Sequence, residues 1–293
     1  MIVGERLKDA LPKKNSFRHE ALFYKGDSDF IDQTTHFIRE GLEASEPVLV
    51  AVIPRKIGMI RDVLGTDAQS VHFVDMARVG KNPARIIPVW QEFVSWGAER
   101  AGAVRGIGEP IWAGRSADEV TESQLHESLI NVAFTDVRAW ILCPYDMESL
   151  GPEVIEEAFR SHPTYSIAGQ SETSATYRGS SEAAKPFGRQ LPAAPSTSDE
   201  IRIVPGRLSE VRSFVSERAA VFGLSENRVD DLVVAVTKLA TNTLRHGGGQ
   251  GTLRVWHEGQ ALVCEVEDSG QLQDPLLGGS ARPSIRTMGG VSG

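Results

Sequence analysis

The chain has 293 residues, with 31 basic and 39 acidic side chains, so its formal net charge is −8 at pH 7. Hydrophobic residues make up 41% of the sequence, which is enough apolar material for the cores of about two soluble domains. The negative charge disfavours direct binding to nucleic acid, because duplex binders need a basic surface. No apolar run approaches the ~20 residues that cross a bilayer, so we expect no membrane interaction. The two cysteines, Cys143 and Cys264, lie far apart in the sequence and indicate a reducing cytoplasm rather than a disulfide framework.

Short apolar runs alternate with amphipathic segments throughout the first half of the chain. The predicted strands are 21–24, 48–53, 71–74, 104–107 and 140–143, and the predicted helices are 30–42, 56–64, 84–100, 117–134 and 152–160. Fully apolar strands that alternate with helices are typical of a parallel sheet covered on both faces. We therefore predict an α/β domain over residues 1–178.

Ligands bind outside the carboxyl ends of the strands in sheets of this kind. In this sequence Glu109 and Trp112 follow the fourth predicted strand, and Cys143 and Tyr145 lie at the end of the fifth. The domain has no GxxxxGK[ST] phosphate loop, and Gly106–Gly108 lacks the third glycine of a dinucleotide-binding turn. We predict that a small organic ligand binds among Glu109, Trp112, Cys143 and Tyr145.

His19 is a further candidate for contact with this ligand, and some of the candidate side chains also have a purely structural interpretation. His19 begins the first strand and either contacts the ligand or makes a hydrogen bond at the strand edge. Cys143 either contacts the ligand or is a small buried core residue. Glu109 has the stronger argument for a site, because a carboxylate at the end of an apolar strand needs a partner or a cleft. A Cys143–His19–Glu109 hydrolase is a weaker alternative, because we expect His19 at the opposite strand end from the other two.

Four segments of this region resemble the MEDS sensory domain. They are Phe17–Tyr24, Asn82–Pro88, Gly108–Trp112 and Cys143–Asp146. The resemblance covers roughly residues 15–178. It implies a RecA/KaiC-like sheet without a working nucleotide loop, and a role in sensing a small molecule whose identity it does not give.

The second half of the chain is predicted to be a separate domain. Residues 179–200 are rich in Ser, Ala, Pro and Gly and are interpreted as an interdomain linker. The pattern after the linker predicts a strand at 201–204, helices at 208–222 and 225–245, and a hairpin of strands 252–257 and 261–267. These elements indicate a two-layer α/β domain over residues 201–293.

The last predicted helix carries a polar row beside its apolar face. Lys238, Asn242 and Arg245 share this row, and His246 lies at its edge. The hairpin ends in Asp268-Ser269-Gly270. An aspartate there can accept a hydrogen bond from the adenine amino group, and a glycine lets the base approach the backbone. The pattern is typical of a nucleotide pocket.

Three segments resemble the conserved boxes of the GHKL ATPases, most closely those of the anti-sigma serine kinases. Residues 235–247 resemble the N-box, Asp268–Gly270 the adenine-binding G1 box, and residues 289–293 the opening of the G2 box. The resemblance implies a Bergerat-type fold that binds ATP and Mg²⁺, with Asn242 on the Mg²⁺. The implied ATP-binding residues are Asn242, His246, Asp268, Gly270, Gly289, Gly290 and Gly293.

Two features depart from the GHKL pattern. Lys238 occupies the position of the family's general-base glutamate, four residues before Asn242. A lysine ammonium donates hydrogen bonds and does not readily accept a proton. Gln271 follows the G1 box where the family often has a further glycine, and the sequence ends at Gly293, inside the G2 box. We therefore expect weak ATP binding and impaired phosphoryl transfer.

The combination of the two domains resembles the actinobacterial RsbA-type anti-sigma regulators. It implies a cytoplasmic bacterial signalling protein that couples small-molecule sensing to the control of a sigma factor or its antagonist. Two alternatives stay open: an active ATP-dependent serine kinase that acts on the antagonist, and a ligand-binding sensor whose second domain only docks or dimerises. The partners expected are a sigma factor, an antagonist protein or a second copy of the chain.

Overall fold

The computed structural model describes residues 17–182, 191–270 and 276. Residues 17–182 form one compact unit and residues 191–270 form a second. Among these residues, no helix combines the length and the apolar character that crossing a membrane requires.

The first unit alternates strands and helices as the sequence predicts. Its strands are β1 (Arg18–Tyr24), β2 (Val48–Val52), β3 (Val71–Asp75), β4 (Val104–Gly108), β5 (Ala139–Asp146), β6 (Thr164–Ile167) and β7 (Gln170–Thr173). Its helices are α1 (Gly26–Glu43), α2 (Pro54–Leu64), α3 (Met76–Val79), α4 (Ile86–Ala101), α5 (Ala117–Ala133) and α6 (Pro152–Ser161). The five predicted strands and five predicted helices are confirmed, with ends shifted by a few residues.

These strands form a single, mostly parallel sheet in the order β3-β2-β4-β5-β1-β6-β7. Strands β1 to β6 pair in parallel, and β7 returns antiparallel to β6. The β6–β7 hairpin was not predicted from the sequence. All four residues of β7 are exposed, so it lacks the apolar run that marks the buried strands.

Helices cover both faces of this sheet, as predicted for parallel strands. On one face, here the α1 face, the core includes Phe30, Phe37, Ile60, Val50, Leu22, Tyr24 and Ile107. On the other, here the α5 face, it includes Trp90, Phe93, Ile130, Ala21, Phe23, Ile141, Cys143 and Tyr145. Successive residues of a strand point to opposite faces, so each strand contributes to both cores.

Two glycines of β4 make room for a tryptophan on the α5 face. A Cβ at Gly106 would lie 2.2 Å from the ring of Trp90, and one at Gly108 would lie 2.9 Å from it. Trp90 is buried, so Gly106→Ala is expected to lower the free energy of unfolding by about 1–3 kcal/mol through overpacking. Denaturant unfolding checks this, with Gly58→Ala as the control because a Cβ there meets no atom within 4 Å. Equal stability of the two variants would contradict the packing.

The second unit is a two-layer α/β structure. Its elements are β8 (Asp199–Ile203), α7 (Leu208–Phe222), α8 (Glu226–His246), β9 (Gly251–Glu258) and β10 (Ala261–Asp268). The strands form an antiparallel sheet in the order β10-β9-β8. The helices and strands share the core formed by Ile203, Val211, Val215, Val236, Ala240, Leu253 and Val255. The predicted elements of this region are confirmed, and β8 includes the last two residues of the predicted linker.

Candidate functional site

Helix α8 presents a row of polar side chains to solvent. Lys238, Asn242 and His246 are spaced four residues apart, which places them on one side of the helix, and all three are exposed. Their side chains make no hydrogen bond or ion pair with the described residues. Val236, Ala240 and Thr243 form the buried side of the same helix. Arg245, the third residue of the predicted row, is also exposed. Among the described residues, nothing covers this side of the helix, and its contact with a ligand stays a prediction.

The carboxyl ends of α8 and β10 meet. The Ser269 N–H donates to the Gly247 carbonyl at 3.3 Å, and the Gly270 N–H donates to Asp268 Oδ1 at 2.9 Å. A Cβ on Gly270 would lie 2.8 Å from the His246 carbonyl oxygen. The structure thus brings His246, Asp268 and Gly270 together at the end of the polar row. Gly289, Gly290 and Gly293 lie outside the described residues.

Gly251 fixes the register that positions Asp268. It pairs with Asp268 across β9 and β10, and a Cβ there would lie 2.6 Å from the Glu267 carbonyl and 2.6 Å from Thr243 Cγ2. Because one of these atoms belongs to the backbone, Gly251→Ala is expected to cost about 1–3 kcal/mol of stability. Hydrogen exchange of the β9 and β10 amides measures this loss. Gln250→Ala, a change at the exposed neighbouring residue, should stay within about 0.5 kcal/mol of the unmodified chain. Equal amide protection in the two variants would contradict the tight register.

In the first unit, Glu109 belongs to a buried polar cluster with Lys56 and Tyr24. Lys56 Nζ donates to Glu109 Oε1 and to the Tyr24 hydroxyl oxygen, and the Tyr24 hydroxyl donates to Glu109 Oε1 at 3.0 Å. Glu109 is 1% exposed and Lys56 is 4% exposed. Burial raises the pKa of Glu109, against the opposing effect of the Lys56 charge. Glu109 therefore has the partner that its position at a strand end requires.

A second buried polar cluster lies on the α5 face. It contains His19 of β1, Glu127 of α5, Cys143 of β5 and His162, which follows α6. His19 Nε2 lies 3.1 Å from Glu127 Oε2 and 3.3 Å from Cys143 Sγ, and His162 Nε2 lies 3.1 Å from the same Glu127 oxygen. Each residue is at most 1% exposed. Burial lowers the pKa of His19 to about 4 and raises the pKa of the Cys143 thiol.

The structure separates Glu109 from the residues with which it was predicted to form one crevice. Ile107 packs on the α1 face, and Glu109, two residues further on, contacts Lys56 and Tyr24 of that face. Cys143 lies on the α5 face. Glu109 and Cys143 thus contact the cores of opposite faces of the sheet, which disfavours a crevice lined by both. Their contact with a common ligand stays a prediction.

His19 lies beside Cys143, so the expectation that it occupies the opposite strand end is wrong. In the parallel pairing of β1 with β5, Ala21 is opposite Cys143 and His19 is opposite Ile141. Residues 19 and 143 therefore share a face as diagonal neighbours. Trp112 and Tyr145 contact the same α5-face core. A contact of any of these side chains with a sensed ligand stays a prediction.

Sequence reasoning missed three of the buried polar residues. Lys56 lies in a helix with an ordinary amphipathic pattern, and nothing in its surroundings predicts that it is buried. Glu127 lies in the segment Ser123–Asn131 of α5, where polar residues are buried among apolar ones. His162 follows α6 directly. The positions 19, 127, 143 and 162 have no motif spacing, because only the tertiary fold brings them together.

Comparison with protein-family models gives two matches, in the order that the motifs predict. Residues 18–163 match the MEDS domain, the methanogen/methylotroph DcmR sensory domain. Residues 201–291 match the histidine kinase-like ATPase domain. No curated protein matches the chain. The chain is thus a MEDS sensory domain followed by a histidine kinase-like ATPase domain, which is the composition of a signalling regulator.

Proposed function

We propose that this protein is an anti-sigma regulator that acts by binding, with little or no phosphoryl transfer. The MEDS domain senses a small molecule, and the ATPase-like domain binds a sigma factor or its antagonist in the cytoplasm. The observation that carries the proposal is Lys238, which stands where the anti-sigma serine kinases have their general-base glutamate.

The position of Lys238 on α8 supports this interpretation. Its side chain is exposed, lies one helical turn before Asn242, and forms no ion pair with the described residues. A serine kinase needs a group here that accepts or orients the hydroxyl proton of its substrate, and an ammonium group offers only donors. The loss of a general base typically slows a reaction by about 10²–10⁴-fold.

Some of the residues near Lys238 are still suited to binding a nucleotide. The Asn242 amide oxygen is a suitable ligand for Mg²⁺, and the exposed Asp268 carboxylate can accept the adenine amino group. Bound Mg²⁺ would neutralise phosphate charge, but the Lys238 ammonium adds positive charge near it and opposes its binding. We therefore propose that Mg·ATP binds weakly, and that binding of the protein partner depends on the outer surface of the domain.

Pairwise binding of the full chain to the sigma factors and the sigma-factor antagonists of its own genome tests the proposal. Calorimetry or a two-hybrid screen should find a specific partner in one of these two groups, and Lys238→Gln should bind it equally well. The chain would instead be a sensor with a docking or dimerising second domain if it bound no member of either group while it remained folded and self-associated.

A further inference from the structure

The four side chains of the α5-face cluster come from four separate parts of the first unit. His19, Glu127, Cys143 and His162 each offer one metal-ligand atom, and these atoms all lie within 4.8 Å of one another. The set contains two imidazole nitrogens, one carboxylate oxygen and one sulfur. Nothing in the MEDS and ATPase-domain matches assigns a role to this cluster.

The hydrogen-bond partners of the two histidines determine where their protons lie. The Asn131 side-chain amide donates to the carbonyl oxygens of Glu127, Ser128 and Ser161, so its Oδ1 atom faces His19. His19 Nδ1 lies 3.1 Å from this oxygen and must carry a hydrogen to donate to it. His162 Nδ1 lies 2.8 Å from the Ala158 carbonyl oxygen and must donate in the same way.

With the Nδ1 hydrogens used in these bonds, the Nε2 atoms of both histidines point into the cluster, where each can offer a lone pair to a metal ion. There they face Glu127 Oε2, which is 3.1 Å from each of them and is itself an acceptor. His162 Nε2 and Glu127 Oε1 have no hydrogen-bond partner among the described residues. Acceptors that converge in a site with at most 1% exposure repel one another unless a cation or a proton lies between them.

From this geometry we propose that His19, Glu127, Cys143 and His162 bind a Zn²⁺ ion in a closed tetrahedral site. Histidine nitrogen, cysteine sulfur and carboxylate oxygen are the ligands of Zn²⁺ in proteins. Zinc–ligand bonds of normal length place neighbouring tetrahedral ligand atoms about 3.3–3.6 Å apart. The His19–Glu127, His162–Glu127 and His19–Cys143 separations of 3.1 Å, 3.1 Å and 3.3 Å need to change by only a few tenths of an ångström. The widest pair of ligand atoms, at up to 4.8 Å, has to close by about 1 Å when the ion binds.

The surrounding hydrogen bonds are those that a zinc site requires. Histidine ligands usually donate their second ring N–H to a carbonyl or a carboxylate, which fixes the ring. Here Asn131 and Ala158 accept from His19 and His162, respectively. Four protein ligands leave no position for a substrate, so the ion holds β1, α5, β5 and the end of α6 together. This site goes beyond the proposed function and gives His19 and Cys143 a metal-binding role within the sensory domain.

Metal analysis of the full chain, purified without a metal-affinity column, tests the site. We expect one zinc ion per chain by mass spectrometry, and a marked loss of zinc in Cys143→Ser and in His162→Gln. Cys264→Ser is the matched control for the thiol, because Cys264 is the other free cysteine and lies outside the cluster. His72→Gln is the matched control for the imidazole. Both controls should keep their zinc.

Replacement of zinc by Co²⁺ identifies the ligand atoms from the absorption spectrum. This test does not depend on how stable the variants are. The full chain with Co²⁺ should show the intense visible bands of a tetrahedral site and a thiolate-to-cobalt charge-transfer band. Cys143→Ser, if folded by circular dichroism, should lose the charge-transfer band, and Cys264→Ser should keep it. A folded chain that binds neither zinc nor cobalt would overturn the proposal and leave a buried hydrogen-bonded cluster of histidines and a carboxylate. Zinc retained in folded Cys143→Ser and His162→Gln would also overturn it.

Discussion

Lys56→Met is expected to lower the free energy of unfolding of the first unit by about 3–5 kcal/mol. The substitution removes the ammonium group that pairs with Glu109 and leaves a carboxylate that is 1% exposed with only the Tyr24 hydroxyl as donor. An unpaired buried charge is costly because the protein interior does not solvate it as water does. Denaturant unfolding followed by tryptophan fluorescence measures the loss.

The double variant Lys56→Met/Glu109→Leu separates the charge effect from the packing effect. Removal of both partners takes away the uncompensated charge, so the double variant should recover most of the lost stability. Lys81→Met is the control for an exposed lysine and should stay within about 0.5 kcal/mol of the unmodified chain. A loss below about 1 kcal/mol in Lys56→Met would contradict the buried ion pair.

Lys238→Glu is expected to recover part of the phosphoryl transfer to a serine of the proposed antagonist, by up to about 10²–10⁴-fold. The recovery is partial because Gln271, the departure after the G1 box, remains. The substitution restores a carboxylate one helical turn from Asn242, where it can orient the substrate hydroxyl and where its charge favours Mg²⁺. Transfer from radiolabelled ATP, counted on the serine of the antagonist, measures the gain.

Lys238→Gln is the matched control for this gain. It removes the positive charge without adding a proton acceptor, so it should improve Mg·ATP binding but leave transfer near the background. Equal transfer in the Glu and Gln variants would contradict a general-base role at this position. No gain in either variant would indicate that Lys238 is a solvated surface residue of a domain that does not use nucleotide.

The fold was largely predictable because its signals are local. The apolar runs of β2 and β5 and the periodicity of α1 and α8 reflect burial that a window of ten residues already shows. The β6–β7 hairpin was not predicted because β7 is exposed on the edge of the sheet and has no alternation of apolar residues. Local patterns therefore predict buried elements and miss exposed ones.

The candidate sites were predictable only where their residues lie near one another in the sequence. The polar row of α8 follows from helical spacing, and Asp268 follows from the end of its strand. The clusters of the first unit depend on which face of the sheet each side chain points to. They also join residues more than 100 positions apart in the sequence, such as His19 and Glu127. Neither Lys56 nor His162 has a motif that marks it, so only the tertiary fold identifies their partners.

Phosphoryl transfer by the unmodified chain, in the presence of its bound partner, is the most direct measurement of how this regulator acts. The full chain is mixed with the sigma factor or antagonist found by pairwise binding, then supplied with Mg²⁺ and radiolabelled ATP. We expect a stable complex that carries no labelled serine, because Lys238 offers no proton acceptor beside Asn242. A labelled serine on the partner at the rate of an active kinase would contradict regulation by binding alone.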